Sequence, residues 1–251
     1  MKAGILAVLV LTTVIAPAQQ LTVAAAADLQ FAFRDLGGQF EKQTGIPVRV
    51  TYGSSGNFTT QIENGAPFDL FFSADVQYPQ KLISEGYAEP GSLYRYADGK
   101  LVLWVPNGSK IDLSKGLLAL LDPSVHKIAI ANPKHAPYGR AAVAAMKSAG
   151  VYEKVESKLV LGENISQTAQ FVQSGTADMG LVALSLAVSP GMRNSGRYAE
   201  VPAKDYPAIE QGAAIVKQSK QKAAAAKFLQ FMKTGTARRI LEKYGFVVPG
   251  E

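Results

Sequence analysis

The sequence has few of the residues that form covalent cross-links and metal sites: its 251 residues include no cysteine and only two histidines. Without cysteine the chain has no disulfide, no thiol nucleophile, no thiolate metal site and no residue for lipid attachment at the predicted cleavage site. His126 and His135 are too few for an ordinary zinc site, and both lie near prolines in segments expected to be exposed loops. The aspartates lack calcium-loop spacing, and no P-loop or dinucleotide fingerprint occurs. The sequence therefore predicts no cofactor and no metal held directly by protein groups.

Charge of one sign is not concentrated anywhere along the chain. The formal net charge is +6, yet the basic residues are scattered, as Lys217, Lys220 and Lys222 near one predicted helix illustrate. No dense basic tract and no aromatic-interleaved stripe occur, so we expect these residues on solvated faces and predict no nucleic-acid partner. With 47% hydrophobic residues, the composition is ordinary for a globular protein.

Residues 1–18 have the pattern of a secretory signal peptide. Lys2 supplies a positive start, the apolar run from Ala3 to Ile15 is too short to span a bilayer, and residues 16–18 fit a small-x-small cleavage pattern. We expect cleavage between Ala18 and Gln19 and a periplasmic mature protein. An N-terminal helix or an uncleaved anchor remains the alternative.

From Leu21 onward, short apolar strands alternate with helical patterns, which predicts an α/β fold with parallel sheets covered on both faces. Two α/β units fit the pattern better than one. If the C-terminal helices pack back on the first unit, the chain crosses between units near Lys100 and near Tyr206. The predicted domains are then 19–99 plus 206–251, and 100–205, joined by a two-stranded hinge with a ligand cleft between them. The segment Pro190 to Tyr198 is expected to be a surface loop.

Four strand-to-helix junctions carry small or hydroxyl-bearing residues. They occur at 23–28, 50–55, 130–138 and 159–165. A helix start presents unpaired N–H groups and a partial positive charge, so converging helix starts can hold an anion without lysine or arginine. In open α/β sheets, ligands bind outside the carboxyl ends of the strands, where these junctions fall. The plainer alternative is that Ser54 and Ser55 are ordinary helix caps.

A hydrolase is a second hypothesis from a different class. The segment Gly53–Asn57 is one residue away from a nucleophile-elbow pattern, with Ser55 as its candidate nucleophile. A catalytic triad would need one of the two histidines beside that serine.

Five segments in combination resemble the periplasmic molybdate-binding proteins, the substrate-binding components of ABC importers. These segments are 23–29, 53–57, 65–75, 136–142 and 244–246, and the resemblance runs through essentially the whole predicted mature chain. It implies a type II periplasmic binding fold, with a molybdate or tungstate oxyanion in the interdomain cleft. It also implies a membrane permease as partner and no catalysis. We expect a monomer, and sulfate or a small organic anion remains an alternative ligand.

The resemblance also implies which residues contact the oxyanion. By position they are Asp28 and Ser55 from the first domain and Tyr138, Ile165 and Ala183 from the second, with Ala27 and Ser54 as neighbours. Ser55 would contribute its hydroxyl and its amide, and Tyr138 and Ile165 would contribute amides.

Two positions depart from the family pattern. Many members have serine or threonine where this chain has Asp28, and many have a tyrosine hydroxyl where it has Ala183. An ionised carboxylate cannot donate a hydrogen bond to an anion. Asp28 could instead cap its own helix while its amide faces the ligand, or its carboxyl could meet the ligand directly; the sequence leaves both possibilities open.

Overall fold

The computed structural model describes residues 20–250, so the predicted signal peptide and its cleavage before Gln19 lie outside the described residues. Within 20–250, no helix is long and apolar enough to cross a membrane. The strands of this part are β1 (Leu21–Ala26), β2 (Val48–Gly53), β3 (Leu70–Ser73), β4 (Tyr94–Gly99), β5 (Leu101–Pro106), β6 (Ile128–Ala131), β7 (Leu159–Gly162), β8 (Met179–Ala183), β9 (Gly196–Glu200) and β10 (Ile209–Ile215). The α-helices are α1 (Gln30–Thr44), α2 (Ser55–Glu63), α3 (Gln77–Ser84), α4 (Pro137–Ser148), α5 (Tyr152–Val155), α6 (Ile165–Gln173), α7 (Leu184–Ala187), α8 (Lys222–Met232) and α9 (Gly235–Lys243).

The strands form two five-stranded sheets, as the two-unit prediction required. The order is β2-β1-β3-β10-β4 in the first sheet and β7-β6-β8-β5-β9 in the second. The chain passes from the first sheet to the second between Gly99 and Leu101, and it returns between β9 and β10. The crossings expected near Lys100 and Tyr206 fall in these two connections, while the domain boundaries themselves stay a prediction.

The expectation of wholly parallel sheets is wrong. β10 runs antiparallel to β3 and β4, and β5 runs antiparallel to β8 and β9. A strand is forced to be parallel only when a crossover helix returns the chain to the same sheet. β5 and β10 reach their sheets from the other unit, so this constraint does not apply to them.

Two strands were not expected from the sequence. β4 ends in Asp98 and Gly99, which resemble a turn, and β9 occupies the end of the segment expected to be a loop, from Gly196 onward.

The C-terminal helices pack on the first sheet. Phe72 of β3 lies 4.8 Å, centroid to centroid, from Phe33 of α1 and 5.8 Å from Phe228 of α8. All three rings are buried. Buried aromatic pairs of this kind add to the stabilisation from apolar burial. The first unit is therefore assembled from both ends of the chain, which leaves the second unit as an insertion between them.

Candidate functional site

The four strand-to-helix junctions converge on one small cavity between the two sheets. At each junction the strand ends and a helix begins within a few residues, the first helix being a short 3-10 segment, Ala27–Leu29, ahead of α1. The cavity is lined by Ala26, Ala27, Asp28, Gly53, Ser54, Ser55, Ala74, Ala136, Pro137, Tyr138 and Ile165. The lining contains no lysine, arginine or histidine. Any anion held here must therefore be bound by neutral donors.

Three helix-start amides at the cavity are unpaired. Among the described residues, the amide N–H groups of Ser55, Tyr138 and Ile165 donate no hydrogen bond to a protein acceptor. At α6 the reason is visible: the side chain of Asn164 caps the amides of Ser166 and Gln167 and leaves that of Ile165 free. Unpaired amides at the starts of three helices supply N–H donors and positive dipole ends to the same space.

The hydroxyl of Ser55 is oriented by a backbone donor. Its Oγ accepts a hydrogen bond from the amide of Ala74 at 3.0 Å, and the Ser55 side chain is fully buried. Since the oxygen already accepts, the hydroxyl proton is free to donate toward the cavity that Ser55 and Ala74 both line. Ser55 therefore combines a free amide with a hydroxyl donor.

Asp28 is held by residues from distant parts of the chain. Its Oδ2 accepts from Gln211 Nε2 at 2.5 Å and from the Tyr138 hydroxyl at 3.1 Å, and the Tyr96 hydroxyl donates to Gln211 Oε1 at 2.7 Å. All four side chains are at most 2% exposed. Asp28 Oδ1 is buried with no hydrogen-bond partner among the described residues. This network joins the cavity to β4 and β10 at the crossing.

The structure gives the capping hypothesis for Asp28 little support. The residue lies inside the 3-10 segment, whose N-cap is Ala26, and its side chain makes no capping hydrogen bond of ordinary geometry, although the backbone amides of Asp28 and Leu29 lie close enough to lower the pKa of the carboxyl. Gln211 and Tyr138 hold one carboxyl oxygen instead. Nor does Ser54 act as a side-chain cap of α2, although it occupies the N-cap position. Its hydroxyl contacts His135 instead.

Burial raises the pKa of the Asp28 carboxyl from 3.8 to about 6, although the hydrogen bonds from Gln211 and Tyr138 partly oppose that rise. Burial and the nearby Asp28 charge together raise the pKa values of the Tyr138 and Tyr96 hydroxyls well above their usual range. The two tyrosines are therefore neutral donors at physiological pH.

Several hydrogen bonds tie the two units together across the cavity. The Ser185 hydroxyl of α7 donates to the Asp28 carbonyl oxygen at 2.8 Å, and the Gly56 amide donates to the His135 carbonyl oxygen at 2.9 Å. Further out, Arg140 pairs with Asp75 at 2.5 Å. These contacts describe a closed cleft, with residues of both units enclosing the cavity.

His135 is half-buried in this arrangement and not an exposed loop residue as expected, whereas His126 is exposed. His135 Nδ1 lies 2.9 Å from Ser54 Oγ, and its Nε2 lies 3.3 Å from Glu163 Oε2. Ser55, the candidate nucleophile, has no histidine partner among the described residues. The Ser54 contact uses the two ring nitrogens in the reverse of the usual triad arrangement, and the Glu163 side chain is 63% exposed. The geometry gives the hydrolase hypothesis little support.

Six of the seven residues implied by the resemblance line the cavity: Ala27, Asp28, Ser54, Ser55, Tyr138 and Ile165. Ala183 does not. It lies fully buried at the end of β8, opposite Leu101 of β5. Its role as a ligand contact stays a prediction. Gln211 and Tyr96 were not singled out from the sequence, because nothing in their local pattern reveals the network that they complete.

Comparison with known proteins agrees with this architecture. Residues 21–247 match the family model described as bacterial extracellular solute-binding protein. The molybdate-binding protein ModA of Rhodobacter capsulatus is 43% identical over 232 residues, covering 92% of this chain and 90% of the relative. ModA of Azotobacter vinelandii is 40% identical over 231 residues, covering 92% and 91%.

A solved structure shows the same fold. The periplasmic molybdate-binding protein of Azotobacter vinelandii superimposes with a TM-score of 0.86 at 38% identity, covering 92% of this chain and all of that one. The type II periplasmic binding fold expected from the sequence is thus confirmed. The chain belongs to the bacterial extracellular solute-binding protein family, and the relatives named here are binding proteins.

Proposed function

We propose that this protein captures molybdate, or tungstate, in the cavity between its two units and delivers it to the membrane permease of an ABC importer. The observation that carries the proposal is the convergence of three unpaired helix-start amides on a closed cavity without a basic side chain. The similarity to proteins named as molybdate-binding, over more than nine-tenths of the chain, supports the choice of ligand. The protein acts as a monomer that catalyses no reaction.

The proposed contacts divide between the two units. Ser55 donates its amide and hydroxyl from the first unit, while Tyr138 and Ile165 donate amides from the second. Because only the closed form brings both sets together, the oxyanion shifts the population toward closure. Closure gives the permease a shape that distinguishes the loaded protein from the empty one.

Neutral donors also favour some anions over others. Phosphate near neutral pH carries a proton of its own, and a site of N–H and O–H donors offers few acceptors for it. Sulfate lacks that proton and must be rejected by size, because molybdate and tungstate are larger. Export by the predicted signal peptide places the protein in the periplasm, where the oxyanion first becomes available.

The test is a melting experiment on purified mature protein with molybdate, tungstate, sulfate or phosphate. Ligand at a thousandfold excess over its Kd stabilises the folded state by about 4 kcal/mol, which raises Tm by on the order of 10 °C for a chain of this size. We expect that shift with molybdate or tungstate and a much smaller one with sulfate and phosphate. A shift with sulfate alone would identify another ligand. The absence of any shift, together with labelling of Ser54 or Ser55 by a serine-reactive phosphonate, would favour the hydrolase.

A further inference from the structure

The Asp28 carboxyl is the one titratable group that lines the cavity besides the Tyr138 phenol. One of its oxygens, Oδ2, is engaged by Gln211 and Tyr138, whereas Oδ1 is buried and unpartnered within the described residues. A buried polar atom without a partner is costly, so native proteins seldom leave one unless it has a role. Here the unpartnered oxygen belongs to a residue that lines the cavity.

An ionised Asp28 conflicts with the proposed ligand. Like charges repel strongly in a cavity of low effective dielectric constant, and a dianion repels a carboxylate about twice as strongly as a monoanion does. The cavity lining contains no basic side chain to offset it. Protonation of the carboxyl when the oxyanion binds would remove this repulsion.

We propose that this protein binds its oxyanion together with one proton, which the Asp28 carboxyl holds so that Oδ1–H donates a hydrogen bond to the ligand. The inference rests on the proposed function and deepens it. The proton comes from solvent, no covalent bond to the ligand forms, and Oδ2 continues to accept from Tyr138 and Gln211. Protonation thus converts the repelling group into a further donor and gives Oδ1 its missing partner.

The groups around Asp28 leave few other sites that could hold such a proton. Tyr138 of α4 and Tyr96 of β4 stay neutral because their pKa values are raised well above the usual range. Burial likewise raises the pKa of Tyr52 on β2 to about 12. Other groups on the surrounding elements can also form hydrogen bonds or carry charge. They are Gln211 of β10, Ser185 of α7, Ser166 of α6 and the exposed Arg34 of α1. At the cleft, His135 lies beside Glu163. Of these, His135 is the one histidine, so it is the residue to test beside Asp28.

Proton-coupled binding predicts the direction in which the Kd changes with pH. Burial sets the pKa of Asp28 in the closed, ligand-free structure at about 6, and a neighbouring dianion raises that pKa further. Below about pH 6 the proton is already present, so affinity changes little with pH. Above that value each bound anion takes up close to one proton, and Kd rises about tenfold per pH unit.

The experiment is a calorimetric titration of the mature protein with sodium molybdate at about pH 6, 7 and 8. At each pH, buffers of different ionisation enthalpy report the number of protons taken up on binding. We expect an uptake that approaches one proton at about pH 8 and decreases toward pH 6. This count needs no variant, so a folding defect cannot mask it.

Two variants identify the group that takes up the proton. Asp28→Asn keeps an acceptor for Tyr138 and Gln211 and places an N–H donor at the other position. It should bind molybdate with no proton uptake, and at about pH 8 at least as tightly as the wild-type protein. His135→Gln should retain the proton uptake of the wild type.

The outcomes separate the two proposals. Molybdate binding without proton uptake, or uptake that persists in Asp28→Asn and vanishes in His135→Gln, overturns the proton-coupled site alone. The absence of heat and of any Tm shift with molybdate or tungstate at every pH overturns the proposed function, and the proton-coupled site with it.

Discussion

Replacing Ser55 by alanine is the most direct test of the donor arrangement. The substitution removes a hydroxyl whose oxygen accepts from the Ala74 amide at 3.0 Å and whose proton is free to donate into the cavity. A hydrogen bond to a charged group contributes about 1.5–3 kcal/mol, so the Kd for molybdate should rise about 10- to 150-fold. The same change leaves the buried Ala74 amide unpaired, which should lower the free energy of unfolding by about 1–3 kcal/mol.

Titration calorimetry measures the first effect and urea unfolding measures the second. Thr59→Val is the matched control, because Thr59 is a buried hydroxyl one turn along α2 that donates to the Ser55 carbonyl oxygen and does not line the cavity. It should change the Kd by less than about threefold while still costing about 1 kcal/mol of stability. An unchanged Kd in Ser55→Ala, or an equal loss of affinity in both variants, would refute the argument that this hydroxyl donates to the ligand.

Three further changes probe the surroundings of the cavity. Ala183→Ser should lower stability by about 1 kcal/mol by burying a hydroxyl, yet leave the molybdate Kd within about threefold because Ala183 does not line the cavity. A large change of Kd in a titration would instead support Ala183 as a ligand contact. Gly99→Ala places a Cβ in hard contact with the Tyr138 hydroxyl and should lower the free energy of urea unfolding by about 1–3 kcal/mol. Unchanged stability would mean that this hydroxyl moves aside freely. The raised pKa of Asp28, about 6 against 3.8, means that the folded state binds more protons between these values, so ligand-free stability should fall by about 3 kcal/mol as pH rises through them. Unfolding curves should lose this component in Asp28→Asn, and an identical pH profile in the two proteins would contradict it.

The sequence predicted the parts of the fold that local patterns encode. The strands that precede the four junctions are short and mainly apolar, and each leads into a helix within a few residues. Their hydrophobic period and the small residues that follow them could therefore be recognised in the sequence. β9 could not be recognised in the sequence because it is a short, partly exposed edge strand in which apolar and polar residues alternate little. β4 ends in Asp98 and Gly99, which favour a turn in most contexts, but here pairing with β10 outweighs that local preference.

The part of the site that consists of backbone donors could be predicted, because a backbone amide donates whatever its side chain is. Helix-start amides are such donors, so the family resemblance could assign Tyr138 and Ile165 by position alone. Gln211 could not be found in this way. It lies 183 residues from Asp28 in sequence, in a strand whose other residues are mostly apolar, and only the crossing of β10 beside β4 brings the two together. Because Gln211 holds Asp28 Oδ2, local sequence alone could not decide between the capping hypothesis and a carboxyl that meets the ligand.

The hydrogen bonds and the ion pair that join the two units contribute to the stability of the closed form, to which the ligand adds. Asp28 with Tyr138, Ser54 with His135 and Arg140 with Asp75 each join one unit to the other. Each such bond contributes only about 1 kcal/mol net in competition with water, and the exposed Arg140 pair contributes less. A ligand that contacts both units adds to these ties, and a preference of a few kcal/mol for the closed form shifts the population strongly toward it. Neutralising Asp28 would supply part of that preference, because the repulsion that it removes exists only when the cleft is closed on an anion.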